Sequence, residues 1–246
     1  MSTVGDLLRR RRPAKRFTAT VAPPPEARPD EGETLAARYG RMAHEGHEPR
    51  AVDLALRAGD VLISGAVLAV SSPVMALVAV AIRLDSGRPI LYRGLRVGRG
   101  GRVFTMFKFR TLAADAETRL GPYLGEELTR LTVDETTRMG RLLRASHLDE
   151  LPQLFNVLAG DMSLVGPRPI RPAFFEQLCE KVPQYWQRLV VPPGMTGFAQ
   201  LRITREMTWE EKLAHDLEYI ADRSPRLYLK VVLDTLASLP DRIRGS

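Results

Sequence analysis

The chain has 246 residues, with 36 lysines and arginines against 29 aspartates and glutamates, a formal charge of +7. That length suits one domain with an appended tail, and a hydrophobic share of 44% excludes global disorder. One cysteine, Cys179, excludes an internal disulfide framework and a cysteine-built zinc site. The positive excess leaves nucleic acid, anionic lipid and phosphorylated small molecules as partner classes.

Residues 1–49 carry the basic run Arg9 to Arg12, with Lys15 and Arg16, then Pro23, Pro24, Pro25 and Pro29. No apolar periodicity is sustained, so the composition predicts a flexible tail. No apolar stretch follows the basic cluster, which argues against a secretory signal.

Val61 to Ile82 is an uncharged apolar run of 22 residues closed by Asp60 and Arg83. It is long enough to cross a bilayer as a helix. It is apolar all round, which disfavours a buried core helix. Ser71, Ser72 and Pro73 stand at its middle, where a proline removes a hydrogen bond and bends a helix. Basic residues flank both ends: Arg50 and Arg57 before it, then Arg83, Arg88, Arg93, Arg96, Arg99 and Arg102. Positive charge marks cytoplasmic flanks. Two topologies fit, a simple span and a re-entrant helix that bends at Ser72-Pro73 and returns to the same face.

Pro89 to Tyr92 reads as a strand, Gly98, Gly100 and Gly101 as a turn, and Val103 to Arg110 as a returning strand. Alternation puts Met106, Lys108 and Arg110 on one face of it. The glycines lack a following Gly-Lys-Ser/Thr, so a hairpin turn outweighs a phosphate loop. Helices are predicted over Asp134 to Arg144, Pro152 to Leu158 (stopped by Gly160) and Pro172 to Lys181. Another opens at the capping box Thr208 to Glu211 and runs to about Ala221, and a last one starts at Ser224-Pro225. The last helix carries apolar residues from Leu229 to Leu239 that suit either the domain or a membrane interface. The fold class is thus α+β, mostly helical with a short β-hairpin.

The densest chemistry lies in Ser146 to Leu154, where Asp149 and Glu150 stand just before Pro152. Proline favours a helix's first turn, so both carboxylates fall at or before a helix start. Backbone N–H groups there favour an ionised carboxylate, available as a nucleophile or Mg²⁺ ligand. The competing structural reading is a capping box of Ser146 and Asp149. Gly160 to Pro169 holds Arg168 between Pro167 and Pro169, a rigid guanidinium suited to phosphate, or simply a solvated turn. The four histidines show no metal-ligand spacing outside the tail.

The order of these motifs resembles the bacterial sugar transferases, the monotopic phosphoglycosyl transferases that begin surface-glycan assembly. The resemblance rests on Lys108 to Thr111 (KFRT), Ser146 to Asn156 (SHLDELPQLFN), Gly160 to Pro169 (GDMSLVGPRP) and Pro193 to Gln200 (PGMTGFAQ). It covers about residues 50 to 240 and suggests a small catalytic-core form. It implies a monotopic protein on the cytoplasmic face of the bacterial inner membrane, with a kinked re-entrant helix at Ser72 and Pro73. Residues 1–49 are then a tail, 50–83 a membrane-associated segment and 84–246 a cytosolic catalytic domain with C-terminal amphipathic helices.

The implied reaction moves a sugar 1-phosphate from a UDP-sugar to polyprenyl phosphate, releasing UMP and starting exopolysaccharide or other surface-glycan synthesis. Asp149 would be the nucleophile, through a covalent phosphosugar-aspartate, and would bind Mg²⁺ together with the diphosphate. Glu150 would complete the dyad, handling a proton or positioning a group. Lys108, Arg110, Arg144 and Arg168 would neutralise phosphates. Nucleic acid drops out as a partner, membrane lipid stays in, and homodimerisation is left open.

Some positions depart from the family pattern. Gly94 replaces a usual Gln, Pro192 an Arg and Phe198 a Trp, and the run after Gln200 differs, which bears on donor preference. The alternative is a basic single-span scaffold binding anionic lipid or nucleic acid. Another is ordinary glycosyl transfer, which would release UDP.

Overall fold

The computed structural model describes residues 50–114, 116, 132, 135–202 and 207–244, with side chains of the last helix described as far as Ser238. The expected tail at 1–49 and the expected helix start at Asp134 lie outside these residues. The described part is mostly helical with a short antiparallel hairpin, in line with the predicted class.

Helix α1 spans Ala51–Ser86, 36 residues, or roughly 54 Å at the α-helical rise. It is the one described helix long and apolar enough to cross a membrane. The Asp53 carboxylate accepts from the Arg50 backbone N–H at 3.0 Å at its start, and Gly87 follows its end with φ 76°. Helical structure continues through Pro73, so the bend expected at Ser72-Pro73 is not a break in the helix. Pro73 has no N–H to offer the Ala69 carbonyl four residues back. The Ser72 hydroxyl donates to that same carbonyl at 2.9 Å instead.

One stripe of α1 is buried, at Leu56, Asp60, Ser64, Val78 and Ile82, while Leu62, Val70, Leu77 and Leu84 face outward. Asp60 does more than close the apolar run. Its Oδ1 accepts from Ser163 Oγ at 3.0 Å, the Leu164 N–H at 2.9 Å and Tyr228 Oη at 2.8 Å. Such complete pairing is what a buried carboxylate requires. At the other end, Val78 and Ile82 pack with Phe109 and Leu143. Both ends of the helix are therefore fixed to one body.

Strands β1 (Leu91–Val97) and β2 (Val103–Phe109) form the antiparallel hairpin, with Tyr92 opposite Lys108 and Gly94 opposite Met106. The tight turn Arg99–Gly101 needs positive φ at Gly100 (62°) and Gly101 (73°). Helix α2 covers Arg138–Ser146, where Thr137 caps it by accepting from the Gly140 N–H at 2.9 Å. Leu148–Glu150 is a single 3₁₀ turn, and α3 follows at Gln153–Ala159 until Gly160 at φ 89°. Arg57 of α1 donates to the Val157 and Leu158 carbonyls in the last turn of α3, the first of which also accepts from the Gly160 N–H at 3.1 Å.

Two three-residue strands, β3 (Ser163–Val165) and β4 (Gly194–Thr196), pair in parallel. A Cβ on Gly194 would lie 2.0 Å from the Gly166 nitrogen, so this contact demands glycine. Helix α4 spans Pro172–Lys181, α5 Phe198–Arg202 and α6 Trp209–Asp222. The predicted capping box opens α6, with Thr208 and Glu211 bonding reciprocally. Helix α7 spans Pro225–Arg244 and follows Ser224 as predicted. Its Tyr228 and Val231 join a core with Leu56, Met106, Leu154, Val157 and Val165, while Leu229, Leu233 and Leu236 stay exposed.

Candidate active site

Asp149 and Glu150 sit in the 3₁₀ turn between α2 and α3, with Leu151 between them and Pro152, as the proline position predicts. Ser146 does not cap this turn. Its hydroxyl donates back to the Leu142 carbonyl at 2.8 Å, which removes the capping-box reading. His147 joins helix to turn with φ 57°. Asn156, one turn into α3, locks the turn onto the hairpin. Its Oδ1 accepts from the Phe107 N–H at 3.0 Å and its Nδ2 donates to the Thr105 carbonyl at 2.7 Å.

This locking brings Lys108 of β2 against the two carboxylates. Its Nζ lies 2.6 Å from Glu150 Oε1 and 4.0 Å from Asp149 Oδ2. Burial pushes Asp149 above the usual carboxylate range; Lys108, His147 and Arg144 oppose this and Glu150 adds to it. The direction is opposite to the ionisation expected from a helix start. A single turn offers too few free N–H groups to offset the lost water around a residue that is 8% exposed. Glu150 is also desolvated, but Lys108, with Arg168 behind it, takes it below its usual value. Burial pulls Arg144 down from its usual value while Asp149 opposes the shift. Two neighbouring carboxylates are thus driven apart in acidity, as paired groups with separate tasks are.

A cavity of about 1000 Å³ opens beside Asp149. Among the described residues, seven cationic ones line it: Arg88, Arg93, Arg96, Lys108, Arg110, Arg144 and Arg171. Asp149 is the one carboxylate among its described lining residues. Lys108, Arg110, Arg144 and Asp149 thus come together as the sequence suggested. Arg144 is aimed by Thr111, whose Oγ1 accepts from its Nε at 3.1 Å. Arg110 has a second task, because its guanidinium donates to the Ser86 carbonyl at 2.6 Å and the Arg88 carbonyl at 2.9 Å. Its Nε is buried without a partner.

Arg168 is not on the cavity wall. It lines a separate narrow crevice, and its charge acts on Glu150. Its carbonyl accepts from Arg188 at 2.9 Å, and Arg188 pairs with buried Asp216 at 2.8 Å. Ser72 and Pro73 are also not among the cavity-lining residues. Arg88, Arg93 and Arg96, read from sequence as membrane flanks, line the cavity, and Arg171 joins them. Strand alternation places Arg96 on the same face as Tyr92 and Lys108, and was the available signal for that one residue.

The fit to Mg²⁺ follows from the donor set. No group of three or more His, Cys, Asp or Glu side chains that could hold a metal exists among the described residues. Glu150 is engaged by Lys108, which leaves Asp149 as the one carboxylate among the described residues of the cavity wall. That donor set suits a Mg²⁺ carried largely by substrate phosphates, which this ion accepts.

Residues 52–241 match the bacterial sugar transferase family, and the chain belongs to it. It is accordingly an enzyme of the sugar-phosphate transferase class. It is 42% identical over 194 residues to a UDP-glucose:undecaprenyl-phosphate glucose-1-phosphate transferase of Caulobacter vibrioides, covering 77% of this chain and 71% of that one. It is 35% identical to a UDP-N-acetylgalactosamine-undecaprenyl-phosphate N-acetylgalactosaminephosphotransferase of Aeromonas hydrophila, over 74% of this chain but only 43% of the relative. Against the exopolysaccharide production protein PSS of Rhizobium leguminosarum bv. phaseoli, identity is 36%, over 79% of this chain and 100% of the relative.

Proposed function

We propose that the chain moves a sugar 1-phosphate from a UDP-sugar to a polyprenyl phosphate such as undecaprenyl phosphate, in two steps through Asp149. The observation that carries this reading is the cavity in which, among the described lining residues, seven cations surround the carboxylate of Asp149. In the first step an Asp149 carboxylate oxygen bonds to the sugar-side phosphorus. The P–O bond to the nucleotide breaks, and UMP leaves with that electron pair. In the second step an oxygen of the polyprenyl phosphate bonds to the same phosphorus, and Asp149 departs as carboxylate. No net proton is consumed, so Glu150 acts by holding Lys108 beside the reacting carboxylate. Lys108 and Arg144 neutralise phosphate charge, the main demand of this chemistry. Mg²⁺, when bound with the diphosphate at Asp149, supplies further neutralisation.

The membrane reading is of a monotopic protein on the cytoplasmic face of the inner membrane. It is supported by α1, whose outward face is apolar while both ends pack on the catalytic body. A helix crossing the bilayer would part those ends by the roughly 30 Å hydrocarbon core. The Ser72 hydroxyl, which satisfies the carbonyl orphaned by Pro73, is the type of partner a proline inside lipid needs. Cysteine labels placed before Arg50 and after Leu239 should both report the cytoplasm; labels on opposite sides would contradict the topology.

The reaction is tested by supplying undecaprenyl phosphate, Mg²⁺ and a panel of UDP-sugars. UMP is the expected nucleotide product. Release of UDP would indicate ordinary glycosyl transfer instead. Surface-glycan assembly is the process such a product would serve.

A further inference from the structure

We infer that Tyr92 is the platform on which the donor's sugar ring rests, and that Gly94 is the residue that allows it; this builds on the transfer reading above. Tyr92 lies directly opposite Lys108 in the hairpin register, so the two side chains leave the same face of the sheet. Lys108 in turn stands 4.0 Å from Asp149. Tyr92 is one of the cavity-lining residues, is partly buried against the core that holds Leu56 and Met106, and its ring lies along the strand over Gly94. A Cβ at position 94 would meet the Tyr92 hydroxyl at 2.3 Å and its ring carbons at 2.7 Å. Any side chain there would therefore displace the ring. Arg171 donates to the Tyr92 hydroxyl at 3.4 Å and fixes its outer edge.

The chemistry of the first step decides which part of the donor meets this ring. In-line displacement sends UMP away from Asp149, on the far side of the phosphorus. The sugar leaves that phosphorus sideways, toward groups flanking the carboxylate. Tyr92, one cross-strand position from Lys108, is such a group. An aromatic face takes the C–H face of a pyranose, and the hydroxyl and guanidinium at its edge can bond ring hydroxyls. Phe109 also borders the cavity, but its ring is 4% exposed and packs with Val78 and Ile82. The Gly94-Tyr92 pair thus assigns donor selectivity to the hairpin.

The test uses the full-length protein with undecaprenyl phosphate, Mg²⁺ and UDP-sugars that differ at C2 and C4, with inhibition by UDP measured alongside. Tyr92→Leu should lower kcat/KM for the preferred sugar by about tenfold and compress the ranking among sugars. Inhibition by UDP should stay unchanged. Gly94→Ala should behave like Tyr92→Leu, because its methyl group displaces the ring. Tyr92→Phe should keep most activity, since the platform remains, and it serves as the folding control. An unchanged sugar ranking in an active Tyr92→Leu protein would overturn the assignment. So would equal losses for every donor with weakened UDP inhibition, which would place the nucleotide on the ring. Absence of UMP release by the unmodified protein with any donor would instead overturn the underlying transfer reading, and the platform with it.

Discussion

Replacing Lys108 by methionine keeps its apolar stem and removes one charge from between two carboxylates. The ammonium lies 4.0 Å from Asp149 and 2.6 Å from Glu150. At 4.0 Å and an effective dielectric near 20, a unit pair interacts by about 4 kcal/mol. The Lys108 side chain keeps 19% of its exposure, so water and relaxation reduce the net effect to ~2–3 kcal/mol. That corresponds to a loss of roughly 30- to 150-fold in kcat/KM. The variant should also move its pH profile. Lys108 lowers the pKa of both Asp149 and Glu150, so its loss raises both. Attack requires ionised Asp149, and the acid limb of kcat/KM should therefore shift to higher pH. UMP release measured from pH 5 to 9 reads both effects. A loss below about threefold, with the acid limb unmoved, would refute this role for Lys108.

Two further predictions concern stability. Asp149→Asn should raise the melting temperature at neutral pH, because burial raises the Asp149 pKa and the ionised form is the disfavoured one in the fold. The gain should be present above the raised pKa and vanish as the pH falls below the unfolded value, where the native carboxyl is neutral too; differential scanning at two pH values checks it. Arg110→Ala should cost about 3 kcal/mol by leaving the Ser86 and Arg88 carbonyls without their donor. A melting temperature lower by roughly 6–12 °C in detergent is the expected reading.

Features set by neighbouring residues were legible in the sequence. Thr208 and Glu211 form their capping box, Gly160 ends α3, and Pro152 places the carboxylate pair before a helix. These follow from local backbone chemistry. The parallel pair β3–β4 was not legible, because three residues carry no periodicity and the partner strand lies some thirty residues away. The start of α2 was missed for a related reason. Asp134, Thr136 and Thr137 all have side chains that can cap a helix, and the hydroxyl that closes the first turn belongs to Thr137.

The site divides in the same way. Asp149 and Glu150 stood out as a carboxylate pair before Pro152, whereas Lys108 and Arg144 were named as their partners only through the family resemblance; all but Glu150 line the cavity. Arg110 was read as a phosphate contact, but its ties to Ser86 and Arg88 depend on where α1 ends in space. Asp60 looked like the border of an apolar run and is instead the buried acceptor joining α1, β3 and α7. Arg88, Arg93 and Arg96 had a sufficient explanation as membrane flanks, which concealed their place on the cavity wall.

The central claim is that Asp149 carries the sugar phosphate. Incubating the protein with its UDP-sugar and Mg²⁺, without lipid acceptor, and measuring its intact mass tests that directly. The account predicts one added sugar-phosphate mass that maps to Asp149, is absent from Asp149→Asn and disappears when polyprenyl phosphate is supplied. An Asp149→Asn protein that still forms the adduct or turns over at the native rate would contradict it.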